Sequence, residues 1–370
     1  MSPTSITPAL TKIISFLLLL LFAFGARAHT NANDSFTKFI DNVPRGERAH
    51  YQIKIPHGKN DPATFIPVSI LKGSSSGPTV LMVAGIHGYE FAPILAAQRL
   101  AQEVDPGSLS GTFIIVNVAH VPAFLARTPY VNPNDAKNLN RSFPGSRTGS
   151  QAERIAWALS SLLIPRADFV LDVHSGDGAE WLEPFIGVYG GPLATDYATA
   201  FSFAEAMGFP NIVRYQMMNQ EQIDRGRSLN RQAVAAGRPT ILVEIGQNGA
   251  RNERHVSAIV SGIRRGLAAF GMQDFEYDSD TSEVRYFDGT MSVPAEHNGI
   301  WNPLTSQGQF VEAGEILGEV LDFSGRLLEK ITAPRGGFTL YGLAGPPVRA
   351  TDSVVTIAFP STRAQLRPTP

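Results

Sequence analysis

Three short stretches of the 370-residue sequence carry side chains suited to metal-assisted hydrolysis. In "VAGIHGYE", residues 83–90, an apolar run reaches Gly85 and then presents His87 and Glu90. In "LDVHSGDG", His174 ends a second apolar run, and in "ILVEIGQNG", Glu244 stands inside a third. His87, Glu90 and His174 form a His₂Glu set, which in catalytic zinc sites leaves a fourth position for water. Gly85 and Gly88 permit the tight turn that would aim the first two at one point. Glu244 then remains as a candidate general base. An unpaired carboxylate in an apolar run is costly, and beside a metal it can carry a proton from water to a leaving amine. Each residue also has an ordinary alternative. Glu90 suits the start of a helix through the helix dipole, and Glu244 suits a buried ion pair with an arginine. With no cysteine in the chain, any metal falls to His, Asp and Glu, and no thiolate nucleophile is available.

A second group of residues suits substrate binding. Asn140 and Arg141 adjoin in "DAKNLNRSFPG", residues 135–145. A guanidinium holds a carboxylate through two parallel hydrogen bonds, and a neighbouring amide adds another. Arg127, in "FLARTPY", is a candidate for steadying the oxyanion that forms on a scissile carbonyl. The alternative for both arginines is a solvated loop cation.

These residues need a scaffold that brings distant segments together. Strand-like runs at 79–84, 112–118, 169–173, 211–215 and 240–245 alternate with helix-like stretches at 91–102, 150–163, 196–207, 228–236 and 252–270. That alternation predicts an α/β sheet covered on both faces, with its site beyond the carboxyl ends of the strands. The runs 51–55 and 63–71 alternate more and predict an antiparallel edge. After residue 270 the texture changes. Residues 274–283 read as a polar linker, and 283–360 as a small all-β unit of short strands broken by Gly and Pro. The tail, 360–370, reads as disordered.

Apolar residues make up 43% of the chain, enough for a large core, and 31 basic against 33 acidic side chains leave a formal charge of −2. Without a basic patch, a nucleic-acid partner has no electrostatic support. The apolar run 13–24 followed by Ala26-Arg27-Ala28 predicts a secretory signal peptide over residues 1–28, cleaved after Ala28. The run falls short of the roughly 20 residues that cross a bilayer, so no stable membrane anchor is expected after cleavage. The expected location is periplasmic or secreted.

Taken in order, GIHGYE, NLNRSFPG, DVHSGD and VEIG resemble the succinylglutamate desuccinylase/aspartoacylase family, part of the zinc carboxypeptidase-like group. The resemblance runs over residues 50–345. It implies one Zn²⁺ per chain held by His87, Glu90 and His174, with Glu244 as catalytic glutamate. It also implies that Asn140 and Arg141 contact a substrate carboxylate, and that Arg127 polarises the scissile carbonyl. The implied fold is a mixed, mainly parallel sheet flanked by helices, followed by a C-terminal β-rich barrel-sandwich domain. The expected division is a hydrolase domain at 29–275 and a β-rich domain at 283–360, the latter shaping or covering the site. Two departures stand out: Asn138 where many relatives have Asp, and export. The expected activity is removal of an N-acyl group from a carboxylate-bearing amino acid. The alternatives are a carboxypeptidase acting on peptides or murein fragments, and an exported zinc- or ligand-binding protein with an inactive site. The sequence leaves the oligomeric state open. Asp172 and Asp177 are rival candidates for orienting a ligand histidine. Trp181 reads as a core aromatic and Lys330 as a solvated strand residue.

Overall fold

The computed structural model describes residues 32–276 and 283–367. The signal-peptide reading of 1–28 and most of the expected linker lie outside the described residues. After α1 (Ala32–Asn42) come β1 (Glu47–Ile55), β2 (Thr64–Lys72), β3 (Ser75–Ala84), α2 (Phe91–Glu103), β4 (Ser110–Val116) and α3 (Val121–Ala126). Next are α4 (Gln151–Ala158), β5 (Phe169–His174), β6 (Glu180–Leu182), β7 (Phe185–Gly190), α5 (Tyr197–Met207) and β8 (Asn211–Gln216). Then follow α6 (Gln220–Gly226), α7 (Leu229–Ala235), β9 (Thr240–Glu244) and α8 (Glu253–Ala269).

Strands β4, β3, β5 and β9 are parallel neighbours in that order, and β1 with β2 forms the antiparallel edge expected from their alternation. Successive residues of β3 feed opposite layers, as the two-residue period of a strand requires. Val80, Met82 and Ala84 join a core built from α2, α5 and α8, while Leu81 and Val83 join one built from α1, α4 and α7. This double burial explains why the central strands read as continuous apolar runs. Helix α4 starts where Ser150 and Glu153 form a reciprocal capping box.

The C-terminal part contains β10 (Arg285–Pro294), β11 (Gly299–Pro303), β12 (Phe310–Val311), β13 (Ile316–Leu321), β14 (Leu327–Thr332), β15 (Gly337–Leu343), β16 (Pro347–Val348), β17 (Ser353–Ser361) and the short α9 (Arg363–Leu366). It is β-rich, as its Gly/Pro punctuation implies. Its strands also extend the main sheet. β10 pairs parallel with β8 and antiparallel with β17, and β15 pairs with β17, β12 and β6. Phe185 and Val213 pack with Phe287, Phe338, Leu340 and Ala358 in one shared core. Strands β14, β13, β11 and β16 form a separate four-stranded sheet.

The expectation of a disordered tail fails for residues 360–367. Thr362 and Gln365 form a capping box, Leu366 is fully buried as part of the main core, and the Tyr197 hydroxyl donates to the Leu366 carbonyl at 2.9 Å. A four-residue helix is too short to show periodicity, and only its tertiary partners fix it. Lys330 is exposed, 3.8 Å from Glu319, as a solvated strand lysine should be. Trp181 is 39% exposed on β6, so it is not the core aromatic its size suggests. Among the described residues no helix is long and apolar enough to cross a membrane.

Candidate active site

β3 ends at Ala84, and Gly85 turns the chain with φ +71°. Gly88 is needed for a different reason: an added Cβ would stand 2.3 Å from the Ala123 carbonyl carbon, against the backbone of α3. The loop is thereby pressed onto α3, with His87 and Glu90 projecting from it. Glu90 occupies the cap position of α2, yet its side chain makes no capping hydrogen bond. It points to two imidazoles instead. His87 Nδ1 lies 2.6 Å from Glu90 Oε1, and His174 Nδ1 lies 3.0 Å from Glu90 Oε2. One donor atom from each of the three residues falls within 4.8 Å of the others.

His174 closes β5, two residues beyond the fully buried Asp172 on the same face. Asp172 Oδ1 sits 2.8 Å from His174 Nε2. This contact settles the rivalry between the two aspartates, because it fixes the ring with Nδ1 facing Glu90. Burial favours the neutral Glu90 carboxyl, but the His174 and His87 rings more than reverse this and hold it down to about 2. Burial lowers the His174 pKa, and the Asp172 and Glu90 charges outweigh it, so the pKa ends well above its ordinary value. A carboxylate between two imidazole nitrogens, one of them braced from behind, fits a divalent cation with N/O preference.

Glu244 reaches the same place through strand register. In the parallel β5·β9 pair it stands opposite His174. Burial, together with the Glu90, Glu180 and Asp172 charges, raises its pKa well above normal despite the opposing His174. Among the described residues no Lys or Arg pairs with it, which removes the ion-pair alternative.

A cavity of about 220 Å³ is lined by these four residues and by Asn140 and Arg141. Asn140 is held rigidly: its Oδ1 accepts from the Leu229 backbone N–H at 3.0 Å. Arg141 donates to the Asn140 carbonyl at 2.8 Å and shares the cavity wall. Asn138 Oδ1 accepts from the Asn140 N–H at 2.7 Å. An amide oxygen performs this capping as well as a carboxylate, so the departure at Asn138 preserves the local turn while removing a charge. Arg127 is placed differently. It closes α3 in the left-handed region, φ 56°, is exposed, and does not line this cavity. His120 is fully buried, bound through Nδ1 to the Ile86 carbonyl at 3.1 Å, and burial pushes its pKa down to about 4.

Sequence reasoning missed several lining residues. Tyr130 stacks edge-on against His87, with centroids 5.5 Å apart, and its hydroxyl donates to Glu180 at 3.2 Å. Tyr341 arrives from β15, which pairs with β6 beside the His174 loop. Thus the C-terminal β-rich region supplies part of the wall through Tyr341, in keeping with the expectation that it shapes the site. For Glu180 the only signal was a second acid close behind Asp177 in "HSGDGAEW".

Residues 76–270 match the model of the succinylglutamate desuccinylase/aspartoacylase catalytic domain. The chain belongs to this family. Within it, the chain is 30% identical over 319 residues to the N-alpha-acetyl-L-2,4-diaminobutyric acid deacetylase of Halomonas elongata, covering 84% of this chain and 91% of that one. The product-bound ectoine utilization protein EutE (DoeB) from Ruegeria pomeroyi aligns with TM-score 0.76 and 25% identity over 86% of this chain and 97% of that one. A succinylglutamate desuccinylase from a Silicibacter species shares the fold, with TM-score 0.75 at 24% identity over 86% and 98% of the two chains. The relatives named by activity in this desuccinylase/aspartoacylase family are deacylases acting on amide bonds.

Proposed function

We propose that this chain is a zinc-dependent amidohydrolase that removes an N-acyl group from a carboxylate-bearing amino acid. The observation that carries the reading is the placement of Glu244 opposite His174, in one small cavity with the His87–Glu90–His174 cluster and the Asn140–Arg141 pair. A cation held by His87, Glu90 and His174 supplies Lewis acidity and makes water nucleophilic near neutral pH. Arg141 and Asn140 grip the substrate carboxylate and set the amide over the cluster. Glu244 takes a proton from the attacking water as the new C–O bond forms. It returns that proton to the amine nitrogen as the C–N bond breaks, leaving a carboxylic acid and a free amine. Burial raises the Glu244 pKa, which favours the protonated form it holds between the two steps.

The name of the curated relative makes an acetylated diamino acid a first substrate to assay. A second reading, cleavage of short peptides, is favoured by a groove of about 940 Å³ that adjoins the cavity at Tyr130, Glu180 and Tyr341. Export is part of the proposal and rests on the apolar run 13–24 and the Ala26-Arg27-Ala28 site.

The test is a hydrolysis screen of zinc-loaded protein on N-acetyl and N-succinyl amino acids and short peptides, with a chelator control. Hydrolysis that stops on chelation and returns with zinc is expected, and activity that survives complete metal removal would sink the reading. Glu244→Gln is expected to lower kcat by roughly 10²–10⁴-fold while leaving zinc uptake intact.

A further inference from the structure

Where β1 meets α4 lies a second cavity, of about 420 Å³, that shares no lining residue with the catalytic one. Its floor is apolar. Ile53 and Ile55 come from β1, Trp157 and Ala158 from α4, and Leu162 from the turns that follow α4. Its rim is cationic. Lys54, His57, Lys59 and Arg147 stand exposed around it, and no aspartate or glutamate among the described residues lines it. The whole chain has 31 basic and 33 acidic side chains, so this one-sided charge is local and does not follow from composition. The Arg147 guanidinium lies 5.6 Å from the centre of the Trp157 ring, which places that charge at the edge of the floor. Two walls of the cavity are tied together from beneath. Arg154 donates to the Gly149 carbonyl at 2.6 Å and pairs with Asp61, whose carboxylate accepts from the Gly58 N–H at 3.1 Å. Asp61 thus neutralises Arg154 and not the rim.

Small-molecule sites are mostly apolar hollows with a few polar groups that fix orientation, and this cavity has the size and the lining of one. We propose that it binds a small amphipathic carboxylate, with the apolar body on Ile53, Ile55 and Leu162 and the carboxylate among Lys54, Lys59 and Arg147. The floor supplies affinity in proportion to the apolar area it covers. The rim supplies the choice of sign, and the arginine fork matches a carboxylate. Because none of these residues lines the catalytic cavity, this inference stands apart from the amidohydrolase reading. Two explanations compete with it. In one the lysines are ordinary solvated residues around an empty hollow. In the other a second copy of the chain covers the apolar floor.

Octanoate, octanamide and octylammonium have equal length and differ in the charge of the head. The chain has three tryptophans, at 157, 181 and 301, so the indole N–H resonances of labelled full-length protein report where a probe binds. Trp157 lines the proposed site, Trp181 sits on β6 between two residues of the catalytic cavity wall, and Trp301 is buried in the C-terminal sheet. Octanoate is expected to shift the Trp157 resonance, assigned with Trp157→Phe, and to saturate with a Kd below about 1 mM. Octanamide should bind at least about tenfold more weakly, the size expected for a hydrogen bond to a charged group, and octylammonium more weakly still. Hexanoate, two methylenes shorter, should also lose roughly tenfold. Both rim lysines are exposed, so Lys54→Glu with Lys59→Glu should keep the wild-type melting temperature and lose octanoate binding by at least about tenfold. No saturable shift of Trp157, or equal binding of octanoate and octanamide, would overturn the proposal. So would a shift of Trp181 in its place, or octanoate binding that survives the double charge reversal. Sedimentation showing a dimer that the same double variant abolishes would overturn it in favour of a second copy.

Discussion

A carboxylate at the first position before a helix ordinarily gains from the helix dipole. Glu90 stands in that position at the head of α2 but turns its oxygens toward His87 and His174. The "HxxE" spacing alone left both outcomes open, because three residues separate a capping pair as readily as a chelating pair. His174, brought alongside by the β3·β5 pairing, adds a third donor atom within reach of the same point, which is the arrangement the proposed metal site requires. Asp172 then acts through His174, not on substrate, by fixing the ring from behind at 2.8 Å. Replacing it with Asn keeps the size but weakens that hold. Zinc affinity of Asp172→Asn is expected to fall roughly 10–100-fold, measured by competition with a chromophoric chelator. An unchanged affinity would mean that packing alone orients the ring. Arg127 shows where residue-level reading fails: a guanidinium can be recognised in a sequence, but its direction depends on the backbone at φ 56° that ends α3.

The central strands and helices were legible because each has a strong periodic signal. The runs at 79–84, 169–173 and 240–245 became β3, β5 and β9, and the helix starts at Phe91 and Glu253 fall within a residue or two of the expected ones. Elements whose stability comes from partners were not legible. β6 has three residues and exists because β15 pairs with it, and α9 exists because Leu366 joins the main core and Tyr197 of α5 hydrogen-bonds its carbonyl. Tertiary ties also secure α4, where the guanidinium of Arg154 pairs with Asp61 in the β1–β2 connection, both nearly buried. The Arg154 hydrogen bond is the main cause holding the Asp61 carboxyl below its usual value. A depressed folded-state pKa means the pair contributes stability fully above the unfolded aspartate value. That contribution is lost as pH falls through the folded value. Arg154→Gln is therefore expected to lose about 2 kcal/mol at pH 7, read from the urea midpoint. The difference from wild type should shrink toward pH 3, and a difference that stays constant into acid would show that the ion pair is not its source.

The β-rich C-terminal strands complete the sheet that carries the site. Residues 285–288 of β10 run parallel to residues 211–214 of β8, and Arg214 donates to both oxygens of Asp288 at 2.9 and 2.6 Å. Phe287 and Phe338 stack on each other at 5.3 Å and cover Phe185 and Val213. β15 holds β6 in place, and with it the segment from His174 to Leu182 that carries Asp177 and Glu180. The Gly- and Pro-broken texture after residue 270 suggested a separable unit, and texture reports local chain preferences without saying which strands pair. A chain ending at residue 276 would expose the β8 edge and an aromatic core face that has no other cover, a combination that favours edge-to-edge aggregation. The full chain is accordingly expected to unfold in one calorimetric transition, with no earlier melting of a C-terminal unit. The truncated chain should fail to give a cooperative transition and should bind no zinc. A soluble truncated chain that melts cooperatively and takes up zinc with full affinity would mean that the 285–361 strands serve only to shape the cavity.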